Sequence, residues 1–177
     1  LFVVSGLGIT AGYHRFYAHR SYKLNKLTEC IILLFGTLAV ESTVLKWVHD
    51  HRLHHRYVDQ EKDPYSIKDG FWHAHMLWAL KKYHPIDKKL IPDLMKNKLL
   101  VFQHKYYGFL FIFLNIVSVL LIGWLLNDFI GAFILSWLVR MFFGHHFTGL
   151  INSAAHKWGS KVYSKEESAV NNYILAI

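Results

Sequence analysis

Two long apolar stretches, separated by only two polar residues, restrict this chain more than any other feature. Residues 106–126 and 129–151 each approach the roughly 20 residues that a helix needs to cross the hydrocarbon layer of a membrane. Asn127 and Asp128 form the whole connection, and so short a connection makes the two stretches an antiparallel hairpin. We therefore predict an all-α integral membrane protein.

Composition supports a membrane protein and argues against two other classes. The chain is 53% hydrophobic, too high for an ordinary soluble domain. Its net charge of +8 would suit a nucleic-acid partner, but 16% aromatic residues and long apolar runs fit that class poorly, so we expect none. Residues 1 to about 13 resemble the end of another span, whereas the run 30–40 has the length of a buried or interfacial helix. No linker or repeat divides residues 1–177, which we interpret as one domain cut from a longer chain.

The distribution of positive charge predicts which side of the membrane the polar residues face. Residues 14–105 hold 16 of the 20 Lys and Arg, and Lys157, Lys161 and Lys165 follow the hairpin. The positive-inside bias places both segments in the cytosol. We therefore expect a multi-pass protein whose histidine-rich helical cap lies on the cytosolic face, where anionic head groups attract its basic residues.

Four histidines fall within seven positions of the stretch "WVHDHRLHHRYVDQEKDP", residues 47–64. On a helix, His51, His54 and His55 lie within an arc of about 100°, whereas His49 points roughly opposite His51. Neutral imidazoles that converge in this way suit a transition metal such as Zn, Fe, Cu or Ni. We predict that His51, His54 and His55 are metal ligands and that His49 is a weaker candidate.

Two other segments carry histidines that could reach the same site. In "HRFYAH", His14 and His19 are five residues apart, about 140° on a regular helix, so they need a distorted turn or two different metals. Asn152 and His156 are four apart at the end of the last span and share a helix face. The lone Cys30 excludes a thiolate cage, so any metal here is held by nitrogen and oxygen.

Several other residues have simpler structural explanations. A lone histidine is more often a packing residue than a ligand, which applies to His73, His84, His104 and His145. Tryptophans gather at membrane interfaces, which is the simplest explanation of Trp47, Trp72 and Trp78. Lys81 and Lys82 fit a solvated face.

The motifs "GITAGYHRFYAH", "DHRLHH" followed by "DP", and "NSAAHKWG", with a hairpin between them, resemble those of the membrane fatty acid desaturases, specifically the acyl-CoA delta-9 (stearoyl-CoA) type. The resemblance runs through essentially the whole chain in the same order. It implies an oxidoreductase of lipid metabolism and fatty acid biosynthesis that uses O2 and a non-haem diiron centre to insert a cis double bond into a saturated acyl chain.

The resemblance also assigns residues. The first histidine box corresponds to His14 and His19, and the second to His51, His54 and His55. His156 corresponds to the ligand after the last span, and Asn152 to a position that reaches a metal through water. Trp47 and Thr148 match residues that help bend the acyl chain, and Lys81 and Lys82 lie where the family has cations near the CoA phosphates. The implied partners are the bilayer, a fatty acyl-CoA or acyl-lipid, and an electron donor of the cytochrome b5 or ferredoxin type.

Three departures from the family pattern leave points open. The third box, of HxxHH type, is expected after Ile177, so residues 1–177 alone are expected to be inactive. His49 replaces an Arg that holds CoA in animal relatives, which leaves acyl-CoA and acyl-lipid both open and favours a bacterial inner membrane over the endoplasmic reticulum. Glu41 replaces a Gln near the tunnel bend, which bears on the double-bond position.

Two other functions compete with desaturation. One is a histidine-box membrane hydroxylase of alkyl or acyl chains, since such enzymes also have histidine boxes. The other is a membrane protein that binds metal without catalysis, for storage or sensing.

Overall fold

A computed structural model describes residues 1–81, 85–161 and 169–175. Its named elements are helical, and the one β-bridge among the described residues joins Ser160 to Asn171, so the all-α prediction is confirmed. Seven α-helices are described: α1 (Phe2–Leu7), α2 (Lys26–Leu38), α3 (Val44–Arg56), α4 (Phe71–His75), α5 (Lys98–Leu126), α6 (Phe129–Phe133) and α7 (Arg140–Lys157). Two π-helical segments, Gly8–Ala18 and Ile134–Val139, continue α1 and α6. Short 3₁₀ turns cover Ile67–Asp69, Leu77–Leu80 and Leu94–Lys96.

The chain divides into two compact units. The first contains residues 1–49 and 86–144, and the second contains residues 50–85 and 145–177. The boundaries fall inside α3 and α7, so each of these helices contributes residues to both units.

The first unit has a core of apolar side chains around a buried amide. Tyr13, Val44, Val48, Ile91 and Leu100 are among its fully buried members. Within this core the Gln103 side chain donates to the Tyr13 hydroxyl at 2.9 Å and accepts from the Val44 N–H at 3.2 Å. Because a buried amide costs free energy unless it is bonded, these contacts fix how α3 and α5 meet the π-helix Gly8–Ala18.

The helical hairpin turns at the two polar residues between its arms. Asn127 adopts the left-handed conformation that ends α5, with φ 52°. Asp128 then caps α6 by accepting from the Gly131 N–H at 2.8 Å. Lys98–Leu126 and Phe129–Lys157 are long and apolar enough to cross a membrane, and apolar side chains such as Trp124 and Ile130 are exposed along them.

One buried cation joins the hairpin to α2. Arg140 donates to the Leu38 carbonyl at 2.7 Å, to the Ser136 carbonyl at 2.6 Å, and to Asn115 Oδ1. The Leu38 carbonyl belongs to the C-terminal end of α2, where the helix dipole favours a positive charge. A charged residue is therefore tolerated in an apolar segment because three oxygen acceptors surround it.

The second unit is built from short elements around the end of α7. Helix α4 and the two flanking 3₁₀ turns follow the polar loop 57–66, and residues 145–157 of α7 lie in the same unit. Ser153 and Ala154 of α7 are buried there, as are His73, Ala74 and His75 of α4. This packing places polar side chains of α4 and α7 inside the unit.

Candidate metal centre

The π-helix brings the two histidines of the first motif together. Its backbone closes with a hydrogen bond of 3.0 Å from the His19 N–H to the His14 carbonyl, five residues earlier. The Nε2 atoms of His14 and His19 lie 3.0 Å apart as a result. Of the two arrangements that the sequence left open, the structure has the distorted turn.

Helix α3 supplies a second pair. His51 and His55 are one turn apart, and their Nε2 atoms also lie 3.0 Å apart. The Nδ1 atom of His51 faces the Tyr65 hydroxyl at 3.3 Å. Burial, and then the charges of Asp63 and Asp50, raise the pKa of Tyr65 well above its ordinary value, so the phenol keeps its proton. A neutral phenol can accept the His51 Nδ1–H and thereby leave the Nε2 lone pair available for a metal.

The third histidine of α3 pairs one of its ring nitrogens with a carboxylate. His54 Nδ1 lies 2.9 Å from Asp63 Oδ1, and its ring stacks on Tyr65. The His54 ring also lies 5.7 Å from the His55 ring, centroid to centroid.

Asp63 is itself fixed by the loop that it belongs to. Its carboxylate accepts from the backbone N–H of Asp59 at 2.9 Å and of Tyr65 at 3.2 Å. Burial alone would raise the pKa of Asp63, but the hydrogen bonds from His54 and from these N–H groups together hold the pKa below its ordinary value. The carboxylate is ionised and orients His54 so that Nδ1 carries a proton and Nε2 a lone pair, an arrangement found beside many metal ions.

The end of α7 adds His156 and Asn152 to the second unit's polar groups. The His156 ring lies 5.3 Å from the His54 ring, centroid to centroid. Asn152 is half-buried, one turn before His156. The second unit therefore contains two pairs of neighbouring predicted ligands, His51 with His55 and His54 with His156.

The donor set fits a transition metal. Each histidine pair, His14 with His19 and His51 with His55, presents ring nitrogens that could hold a metal ion. In each pair two ring nitrogens face each other at 3.0 Å, where their lone pairs repel unless a proton or a cation lies between them. Neutral imidazole is a ligand for iron, zinc, copper and nickel. The side chains therefore fit an iron site of nitrogen-rich ligation.

The residues predicted to bind substrate differ in their surroundings and in their exposure to solvent. Trp47 stands against the Tyr13 and His14 rings, at 6.1 and 6.2 Å, and its indole N–H donates to Glu41 at 3.3 Å. Thr148 is half-buried on α7. Lys81 is exposed, with its Nζ 3.4 Å from Asp69, whereas Lys82 lies outside the described residues.

Two of the four histidines expected to serve packing have polar partners in the structure. His104 pairs with Thr43 at 2.8 Å, and His73 lies 3.4 Å from Asp69 on its own helical turn. His49 is buried, His145 is half-buried, and His84 lies outside the described residues.

Sequence reasoning missed the residues that orient the histidines. The "DP" after the second motif was noted without a role, yet its aspartate is Asp63. Tyr65 lies two residues further on and contacts both His51 and His54. An acidic residue soon after a histidine motif was the available signal for Asp63, whereas nothing in the pattern identified Tyr65.

Comparison with known proteins identifies the family of this chain. The family model described as "Fatty acid desaturase" matches residues 1–176. A "Probable acyl-CoA desaturase" of Schizosaccharomyces pombe is 38% identical over 99% of this chain and 37% of its own length. "Acyl-CoA desaturase 1" of Saccharomyces cerevisiae is 36% identical over 99% of this chain and 35% of its own length. "Delta(9)-fatty-acid desaturase fat-7" of Caenorhabditis elegans is 38% identical over the whole chain and 54% of its own length.

The chain thus spans between about a third and about half of the length of these relatives. The match begins at residue 1 and includes both histidine pairs, the hairpin and the end of α7. The order of the motifs, the helical fold and the family match agree, and the chain belongs to the fatty acid desaturase family.

Proposed function

We propose that the protein containing this chain is a membrane fatty acyl desaturase that introduces a cis double bond, at the delta-9 position, into a saturated acyl-CoA. The observation that carries the proposal is the pair of 3.0 Å imidazole contacts within a chain that matches the family along almost its whole length. The names of the relatives support the substrate class, because two are acyl-CoA desaturases and a third is a delta-9 desaturase.

The proposed cofactor is a pair of iron ions with O2 as co-substrate. The proposed ligands are the histidines of the two motifs and the end of α7, namely His14, His19, His51, His54, His55 and His156, with Asn152 acting through water. Bound iron would supply the oxidising power that an unactivated C–H bond requires, since no acid or base can address such a bond. The reaction balances as one CH2–CH2 unit, O2, two electrons and two protons giving one CH=CH unit and two waters.

The protein's own side chains would orient and shape this site. Asp63 holds the His54 tautomer, and the neutral Tyr65 phenol does the same for His51. Trp47 places its indole ring beside His14, and Glu41 accepts a hydrogen bond from the indole N–H. A rigid wall beside the ligands would limit which carbons of an acyl chain come near them. We propose that Trp47 and Thr148 line the acyl site and that Lys81 and Lys82 bind CoA phosphates.

The two electrons would come from a partner protein of the cytochrome b5 or ferredoxin type. Exposed apolar side chains along Lys98–Leu126 and Phe129–Lys157 support residence in a bilayer. The basic excess of residues 14–105 supports a cytosolic orientation of the histidines. The relatives reported above are eukaryotic, which favours the endoplasmic reticulum and gives no support to the bacterial membrane expected from His49.

The proposal is tested by product analysis with matched histidine variants. The full-length protein, supplied with stearoyl-CoA, O2 and a reduced electron donor, should yield oleoyl-CoA and bind two irons per chain. His51→Ala and His55→Ala should abolish both iron binding and product. His104→Ala should retain both, because His104 bonds Thr43 instead.

Three results would contradict the proposal. An alcohol as the sole product would identify a hydroxylase. Bound metal without O2-dependent turnover would identify a storage or sensing protein. Full activity in both ligand variants would exclude the assigned histidines.

A further inference from the structure

A second group of polar side chains lies in the second unit, outside the proposed ligands. His75 of α4 is buried, and its Nδ1 atom lies 3.0 Å from Ser153 Oγ of α7. Its other nitrogen, Nε2, lies 2.9 Å from His146 Nδ1. Ser153 is fully buried.

The hydrogen bonds of this group run in one direction. The Ser153 hydroxyl lies 2.7 Å from the Gly149 carbonyl, which can only accept, so the hydroxyl must donate its proton there. Ser153 Oγ can then only accept from His75, which places a proton on His75 Nδ1. In the neutral ring Nε2 must therefore accept, and His146 Nδ1–H is its donor. Burial, and then the proximity of His146, lower the pKa of His75, which agrees with a neutral ring.

Gly149 makes this contact possible by leaving room for the His75 backbone and ring. A Cβ at Gly149 would overlap the His75 carbonyl oxygen and would lie 3.1 Å from His75 Nδ1. The close approach of α4 to α7 thus depends on a missing side chain on one helix and a directed hydrogen-bond chain between both. Neither is needed for helix formation itself.

The contact lies next to the proposed ligands of α7. Ser153 follows Asn152 directly and precedes His156 by three residues. His156 lies opposite His54 at 5.3 Å between ring centroids. A rotation or shift of this part of α7 would therefore move His156 relative to His54, whose own orientation Asp63 fixes.

We propose that His75 is a positioning residue for iron ligation: through the chain His146 to His75 to Ser153 it holds residues 146–156 of α7 in the rotation that presents Asn152 and His156. The inference rests on the proposed function, because it assumes that His156 binds iron. The hydrogen bonds that join His146 to His75 and His75 to Ser153, which we call the clamp, do not depend on the metal.

The first measurement tests the clamp without iron. In the full-length apoprotein, amide hydrogen exchange of peptides covering 71–75 and 146–156 should be accelerated at least several-fold by Ser153→Ala and by His146→Leu. His146→Asn should restore protection, since an Asn side-chain N–H can replace the donor at Nδ1. Ser118→Ala is the matched control, because Ser118 makes the same bond to a carbonyl four residues earlier, at 2.7 Å. Unchanged exchange in Ser153→Ala would overturn the proposal.

The second measurement connects the clamp to the metal. Iron content of the same variants should fall from two per chain towards one in Ser153→Ala and His146→Leu, with an altered Mössbauer spectrum for the remaining iron. His146→Asn and Ser118→Ala should keep two irons and the wild-type spectrum. Faster amide exchange with an unchanged iron content in Ser153→Ala and His146→Leu would overturn the positioning role. Loss of iron from His146→Asn would overturn it as well, because His146 would then be a ligand itself.

The two measurements separate this inference from the proposed function. A wild type that binds no iron would overturn the proposed function and the positioning role together, while the exchange data would still decide whether the clamp exists. If the wild type binds two irons and Ser153→Ala matches it in amide exchange and iron content, only the positioning role of His75 is overturned.

Discussion

His14 and His19 face each other across one π-turn, with 3.0 Å between their Nε2 atoms and a 3.0 Å hydrogen bond from the His19 N–H to the His14 carbonyl. This turn is supported by a tertiary contact, because Tyr13 of the same segment packs onto Gly36 of α2. π-helical geometry is rare in proteins, so we expect tertiary contacts of this kind to help maintain it. The geometry of the first histidine pair therefore depends on how closely α1 and the π-helix approach α2.

Two glycines at the junction of α1 and the π-helix test that dependence. A methyl group at Gly8 would overlap the backbone of Phe35 and Gly36, whereas one at Gly6 would meet no atom within 4 Å. Gly8→Ala should lower the free energy of unfolding by about 1–3 kcal/mol, the usual cost of overpacking. Gly6→Ala should be neutral or slightly stabilising. Thermal unfolding in detergent compares the two, and equal melting temperatures would contradict this packing.

The Asp63 carboxylate provides a second prediction, at the other motif. Asp63→Asn keeps the size of the side chain but removes the charge that holds a proton on His54 Nδ1. Loss of such a partner commonly costs 10- to 100-fold in metal affinity, so we expect a decrease of that order in iron affinity. Iron titration of the apoprotein measures it.

Asp69→Asn is the control for this variant, because Asp69 is an acidic residue nearby whose described partners are Lys81 and His73. Equal iron affinity in Asp63→Asn and the wild type would show that Asp63 has no role in orienting the ligand.

The sequence predicted the helical hairpin and the histidine motifs because both depend on local patterns. Helix length and two polar residues suffice for a hairpin, and spacing along α3 suffices to place three histidines on one side. Spacing cannot distinguish which neighbour each ring contacts, so the pairing of His54 with Asp63 could be identified only from the structure. The contact of His75 with Ser153 joins residues 78 positions apart, and no local pattern indicates it.

The orientation in the membrane gives a third prediction. Helix α2 has 13 residues, about 20 Å at 1.5 Å per residue, which is short of the roughly 30 Å hydrocarbon layer. Tags at residues 68 and 162 should therefore both be accessible from the cytosolic side, and a tag between Asn127 and Asp128 should not. Protease protection in sealed vesicles measures this. Opposite accessibility of the tags at 68 and 162 would mean that residues 28–48 span the membrane.

The last prediction concerns the positive charges of Lys81 and Lys82, the proposed contacts of the CoA phosphates. Lys81 is exposed and shares a 3.4 Å contact with Asp69, so a phosphate would have to compete with that carboxylate. Replacing both Lys81 and Lys82 by Gln should raise the apparent KM for an acyl-CoA by about tenfold or more, since charge-assisted contacts contribute roughly 1.5–3 kcal/mol when shielded and less at an exposed face. The effect should shrink as salt is added.

The turnover number of this double variant should change little, because phosphate contacts far from the reacting carbons bind the ground state and the transition state alike. Asp69→Asn should have the opposite effect on KM, since it releases Lys81 from its carboxylate partner. Replacing the exposed Lys88 and Lys89 by Gln is the matched control for lost net charge. If that control raised KM as much as the Lys81 and Lys82 variant, long-range attraction rather than phosphate contact would explain the result. If neither changed KM, the protein would not bind CoA phosphates at these lysines, and faster turnover of phospholipid acyl chains would then identify an acyl-lipid substrate.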